Sequence, residues 1–178
     1  MNVTSGPFPG RRIGAAVAVF VLLLTLPSCS EDEPEREYSL PRTACGTTVD
    51  AEALAKFLPP GKKVSTEVTV ASAKATRCAV SVDGKRVVYT AQEWWNDMSV
   101  LEFAKGLTLD KVGHQTEDGR FAYSGTQAFG KAEGCRNSRG QILYTAVLAT
   151  GSEHSDAAAM KQLITEYTKA VQRSDVCH

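Results

Sequence analysis

The sequence predicts an α+β domain, a mostly antiparallel sheet with helices packed on one face and disulfides across it, and three observations carry that reading. Asp83-Gly84 stands between Ala79-Val80-Ser81-Val82 and Arg86-Val87-Val88-Tyr89, and Asp-Gly favours the left-handed backbone of a tight primed hairpin turn. Met160, Leu163, Ile164, Tyr167 and Val171 recur at steps of three or four, the period of one helical face. The remaining patterns follow the order helix, strands, helix, strands, helix, which implies a largely antiparallel sheet with helices packed on one face.

In chain order, Arg11 and Arg12 precede an uncharged run from Ile13 to Leu26 that breaks at Pro27-Ser28-Cys29. A basic start, a short apolar stretch and a small residue before the break describe an export signal over residues 1–28. The run is shorter than the roughly 20 residues of a bilayer-spanning helix, so cleavage is expected rather than a permanent span. Gly14 and Ala15 are poor matches to the strongly apolar residues of twin-arginine export, so general secretion is expected. Leu26, Ser28 and Cys29 resemble a bacterial lipobox, with Pro27 departing from its usual pattern. The resemblance implies that Cys29 carries thioether-linked diacylglycerol, is further acylated as with palmitate, and begins the mature protein. Two or more acyl chains anchor firmly, at about 0.8 kcal/mol per buried methylene. The lipid bilayer is then the first expected partner, and the extracytoplasmic face of the cell membrane the expected location. The alternative is a plain secreted protein cut near Ser28.

Residues 29–41 hold Glu31, Asp32, Glu33, Glu35 and Glu37 around Pro34, a composition that predicts a solvated, disordered tether. The remaining 42–178 suits a single domain. The whole chain balances 20 basic against 20 acidic residues, so the mature form without Arg11 and Arg12 carries −2. It has no one-signed field to attract nucleic acid, which is not an expected partner.

Apart from Cys29, the cysteines are Cys45, Cys78, Cys135 and Cys177. An even set in an exported chain reads as two disulfides. None stand at the C-x-x-C spacing of a zinc or redox site. Three pairings are possible and the sequence does not choose among them; Cys45–Cys78 with Cys135–Cys177 is adopted as the expectation. Each link contributes on the order of 3–4 kcal/mol in the chain-entropy model.

Asp50 to Leu58 predicts a short amphipathic helix capped by Thr47 or Thr48 and stopped by Pro59-Pro60. Val64 to Val70 alternates as a half-buried strand, and a second strand runs from Thr76 to Val82. Asn96 or Asp97 is the expected cap of a helix through Met98, Leu101 and Phe103 or Ala104, ending at Gly106. Leu107 to Gly119 reads as loop. Strands are expected at Arg120–Thr126, Gln127–Glu133 and Gln141–Ala149, with a turn over Arg136–Gly140. The last helix runs from Ser155 or Asp156 to about Ser174, with Asp156 and Arg173 suiting the ends of its dipole.

Candidate chemistry is sparse. Gly125 to Ala132 matches G-x-x-x-x-G-K but has Ala132 where a magnesium-binding hydroxyl belongs, and continues as strand; glycines easing a twisted antiparallel pair is the expected role. His114, His154 and His178 lack second ligands at metal spacing, so no metal and no cofactor is expected. Ser124 lacks the glycine that precedes the serine of a nucleophile elbow, and Glu117-Asp118 reads as loop solvation. The most unusual cluster is Glu93-Trp94-Trp95-Asn96, with both tryptophans of the chain. Alternation sends Trp94 and Trp95 to opposite faces. The favoured reading packs one in the core and the other under a helix or at a rim; the alternative is that Trp94 or Trp95 lines a ligand pocket or a partner surface.

With the lipobox, Cys45-Gly46, Leu58-Pro59-Pro60-Gly61-Lys62, Arg77-Cys78-Ala79-Val80-Ser81-Val82-Asp83-Gly84, Gly134-Cys135 and Cys177 together, the chain resembles small lipoproteins of actinobacteria, notably of Streptomyces. The resemblance implies a Gram-positive envelope setting and a compact disulfide-bonded domain. Related mycobacterial lipoproteins have sheet-and-helix domains similar in outline to the photosystem accessory and Mog1 folds, an analogy of fold alone. The expected function is a membrane-tethered, non-enzymatic binding or accessory domain of the cell envelope, recognising a protein or an envelope component outside the cell, with Trp94 or Trp95 as the recognition candidates. The alternatives are a carrier of a small apolar ligand or lipid, and an envelope hydrolase with a dispersed site.

Overall fold

The computed structural model describes residues 35–108 and 110–178. The export segment, Cys29 and the acidic residues Glu31, Asp32 and Glu33 lie outside the described residues. The stretch 36–40, expected to belong to a solvated tether, instead docks on the domain. The Arg36 guanidinium donates to the carbonyls of Ala55 (3.1 Å) and Leu58 (2.7 Å), Glu37 N–H donates to Gly61 O, and Tyr38 Oη donates to Pro59 O. Tyr38 and Leu40 pack against the core. Reading the segment by its acids hid these three side chains, which close the Pro59-Pro60 end of the first helix.

Strands β1 (Thr43–Ala44) and β2 (Thr47–Thr48) form a small ribbon around Cys45-Gly46, both at positive φ. Helix α1 (Ala51–Ala55) follows, capped by Asp50, whose carboxylate accepts from Ala53 N–H at 3.0 Å. The expected caps Thr47 and Thr48 are committed to β2. The main sheet then takes β3 (Val64–Ala71), β4 (Ala75–Val82) and β5 (Lys85–Trp95), two hairpins in succession. Asp83 and Gly84 both have positive φ, 49° and 81°, as a primed turn requires.

Helix α2 (Val100–Leu107) starts at Ser99, not at Asn96 or Asp97. Ser99 Oγ accepts from Glu102 N–H while the Glu102 carboxylate accepts from Ser99 N–H, a reciprocal capping box. Gly106 lies inside this helix rather than beyond its end. Then come β6 (His114–Gln115), within the stretch expected as loop, β7 (Phe121–Tyr123), β8 (Gln127–Arg136), β9 (Ile142–Leu148), α3 (Ala157–Gln172, capped by Asp156) and a 3₁₀ turn at Asp175–Cys177.

The domain is α+β: a seven-stranded antiparallel sheet of order β3-β4-β5-β9-β8-β7-β6, with helices packed on it and two disulfides. Alternation along β9 divides the core. Leu143 and Val147 face one layer with α1 and α3, where Met160, Leu163, Ile164, Tyr167 and Val171 are buried, while Ile142, Tyr144 and Ala146 face α2. α2 thus covers the face opposite α1 and α3, a departure from helices on one face alone. The reason is the apolar second side of the central strands: Ala91, Ala122, Phe129 and Ile142 need a cover, and Val100, Phe103 and Ala104 supply it.

The disulfides are Cys45–Cys78 and Cys135–Cys177, the adopted pairing. One ties the β1–β2 turn to β4; the other ties the end of β8 to the 3₁₀ turn after α3. Strand β3, expected to be half-buried, is not. It forms the sheet edge and is exposed along most of its length, Val68 at 48% and Val70 at 37%. A bulge between Val68 and Val70 turns these two valines to opposite faces. Among the described residues, no helix is long and apolar enough to cross a membrane. A small disulfide-bonded domain of this kind is consistent with an extracytoplasmic protein.

Candidate functional site

The Glu93-Trp94-Trp95-Asn96 cluster closes β5, between β4 and β9. Its register places Trp94 opposite Leu143 and Trp95 opposite Ile142. Trp94 therefore packs against the α1–α3 core, half-buried, and Trp95 emerges on the α2 face with 39% of its surface exposed. Its ring meets Phe103 of α2 edge-on, centroids 6.3 Å apart. One tryptophan serves the core and the other forms a rim, as alternation requires.

Glu93 shares the face of Trp95 but is only 4% exposed. A buried carboxylate needs charge and hydrogen-bond partners. Arg77 of β4 supplies the charge, with Nε 2.8 Å and Nη2 2.6 Å from Oε1, and the Trp95 indole N–H donates to Oε2 at 3.1 Å. Burial disfavours the Arg77 cation, but the hydrogen bond and charge of Glu93 outweigh it and raise the guanidinium pKa above its ordinary value. Tyr89, two pairs along the same face, has its hydroxyl pushed up mainly by burial, against the opposing charge of Arg77.

Arg77 escaped the sequence reading for a geometric reason. The Asp83-Gly84 turn pairs Val82 with Lys85, and that register continued would oppose Arg77 to Thr90, on the other face. A bulge between Val80 and Ser81 shifts the ladder by one, so Arg77 opposes Ala91 and reaches Glu93 diagonally.

The loop after Trp95 is pinned from two sides. Asp97 pairs with Lys131 (2.5 Å) and Arg136 (3.2 Å) of β8. The Lys131 hydrogen bond is the main reason that the Asp97 carboxyl lies below its usual range. Tyr144 Oη accepts from Met98 N–H (2.9 Å) and donates to Met98 O (2.6 Å). Behind this loop opens a cleft of about 450 Å³ whose walls include Lys74, Glu93, Trp94, Trp95, Met98 and Gln141. Trp95 is thus an exposed aromatic held by a hydrogen bond on one edge and an aromatic ring on another.

The other candidates are dispersed into structural roles. Gly125 lies in the β7–β8 turn, Lys131 is the Asp97 partner, and the match from Gln127 to Ala132 is antiparallel strand. Gly130 is required by close approach: a Cβ there would lie 2.5 Å from Thr168 Oγ1 of α3 and 2.6 Å from Thr145 Oγ1. Ser124 Oγ accepts from Gln127 N–H (3.2 Å) as a turn residue, and Asp118 accepts from Thr116 and Arg120 in its own loop. His114 stacks on Tyr123, 5.2 Å between centroids, while His154 and His178 are exposed. Among the described residues, no group of three or more His, Cys, Asp or Glu is placed to hold a metal ion. Comparison with protein-family models, curated proteins and solved structures found no match for this chain.

Proposed function

We propose that this protein is a non-enzymatic recognition domain of the cell envelope, tethered outside the cytoplasmic membrane through Cys29 as an actinobacterial-type lipoprotein, and that a protein partner docks on Trp95. The observation that carries the reading is Trp95 itself: a large exposed aromatic, pre-organised by Glu93 and Phe103 at the rim of a cleft. Aromatic anchors held in place lose little conformational entropy on binding, which is why such residues dominate interfaces. The one buried carboxylate of the cleft wall is committed to Arg77 and Trp95, an arrangement that holds a surface and offers no paired nucleophile and base. The disulfides supply the matching background, a domain braced for a compartment without reducing thiols.

The test is capture from solubilised envelope membranes by the oxidised, mature chain, beside its Trp95→Ala and Trp94→Ala variants, with bound proteins and small molecules both identified. A protein retained by the parent and lost with Trp95→Ala, at unchanged melting behaviour, is expected. Retention that survives Trp95→Ala, or a small apolar molecule as the sole bound species, contradicts it. For the anchor, Cys29→Ser is expected to release the protein from the membrane fraction.

A further inference from the structure

The sheet has two edges of very different character. β6 is two residues long, whereas β3 runs for eight, Val64–Ala71, with Glu67 as its single charge and neither proline nor lysine. Exposed edges are usually blunted by shortness, charge, proline or a bulge, because their free N–H and C=O groups template pairing with another strand. In β3 the bulge between Val68 and Val70 interrupts only the far end, so Val64–Val68 stays open, and among the described residues no strand pairs beyond it.

We propose that β3 is a self-pairing edge, joining two copies of this chain antiparallel about a two-fold axis through Thr66. The alternation of the β3–β4 ladder sets which groups are free. Asp83 N–H donates to Lys63 O at 2.8 Å, so the hydrogen-bonded pairs with β4 fall on the odd-numbered residues. The N–H and C=O groups of Val64, Thr66 and Val68 therefore turn to the open edge.

A two-fold axis normal to the sheet keeps each side chain on its own face, so a symmetric register centres on one residue; centring on Ser65 carries Val68 against residue 62, before the start of the strand, which leaves Thr66, Glu67 or Val68. Centring on Glu67 sets two carboxylates opposite each other at about 4.5 Å between Cα atoms, which like charge disfavours. Centring on Val68 runs Thr66 into Val70 of the second copy, across the bulge. Centring on Thr66 avoids both. Open backbone groups meet open backbone groups at the 64/68, 66/66 and 68/64 pairs. Val64 lies beside the exposed Val68 of the second copy, and Ser65 beside its Glu67, where a hydroxyl can donate to the carboxylate. The bulge ends the pairing where the register would otherwise slip.

An interface of one strand is smaller than the roughly 800 Å² per partner of a standard complex, so the experiment traps it covalently. Two differently tagged copies of the full chain, one carrying Ser65→Cys and the other Glu67→Cys, are co-expressed, left on the membrane of the expressing cell and mildly oxidised. A disulfide-linked dimer carrying both tags is expected, lost when Thr66→Pro is added to both copies. Proline at 66 removes an N–H that faces the edge and no bond to β4, so an unchanged melt accompanies the loss. Ser65→Cys with Thr69→Cys, which reports the Glu67-centred register, is expected to stay unlinked. The proposal is overturned if the first pair gives no linked dimer, if it links to a different protein, if the second pair links equally well, or if the dimer survives Thr66→Pro.

Discussion

Arg77 and Glu93 meet diagonally across the β4–β5 ladder, one-third exposed on the arginine side and buried on the glutamate side. That asymmetry sets which deletion hurts more. Arg77→Ala leaves a buried carboxylate without its cation and is expected to cost about 3 kcal/mol, whereas Glu93→Gln leaves an arginine that can turn to water and is expected to cost about 1–2 kcal/mol. Urea denaturation at pH 7 measures both. Equal costs for the two variants contradict the assignment.

The two bridges close loops of similar separation, 33 and 42 residues. Paired replacement of Cys45 and Cys78 by alanine, and separately of Cys135 and Cys177, is each expected to lower stability by about 3–4 kcal/mol. Denaturant midpoints of the two variants measure this. A loss under 1 kcal/mol for either pair shows that its loop is already closed by other contacts.

At Gly130 the sheet and α3 touch without a side chain between them. Gly130→Ala drives a methyl group into the hydrogen-bonded pair Thr145–Thr168, 2.6 Å apart, and is expected to destabilise by about 1–3 kcal/mol. Thr168→Ala removes one obstructing oxygen, so it is expected to cost less in the Gly130→Ala background than in the parent. Additive costs in a four-variant denaturation cycle contradict the close approach.

Tyr167 carries its hydroxyl into the same layer, donating to Thr90 Oγ1 (3.2 Å) and accepting from Gln92 Nε2 (3.1 Å), while Gln92 also donates to Thr47 (2.9 Å). Tyr167→Phe strands these partners and is expected to cost about 1–2 kcal/mol. Burial raises the phenol above its ordinary value. The stabilisation is then complete below the unfolded value near 10 and is lost as pH rises through the folded one. The gap between parent and variant is expected to narrow above about pH 10, as read by denaturation across that range. A gap that widens there contradicts the network.

Much of this fold is legible in the residues, and the exceptions share a cause. The Asp83-Gly84 hairpin, the α3 face and the start of that helix beside Asp156 depend on local chemistry, and all three hold in the structure. Whether α2 lies with α3 or opposite it depends on which face of β8 and β9 stays uncovered, a property of the assembled sheet. Ser99 displaces Asn96 and Asp97 as the α2 cap because Asp97 is drawn to Lys131 and Arg136, distant in sequence. The site divides the same way. The Trp94–Trp95 pair and its split between core and rim follow from alternation alone. The Arg77 support hides behind a one-residue bulge that no pattern in the chain marks.

The central claim, that Trp95 is a contact point for an envelope protein, is tested most directly by a photo-crosslinking side chain in place of Asn96, exposed at the rim of the cleft. Irradiation of membranes bearing the full chain is expected to yield a discrete adduct with one other protein, absent when Trp95→Ala is introduced. An adduct unaffected by Trp95→Ala, or none while the parent chain still captures its partner, would place recognition elsewhere on the domain.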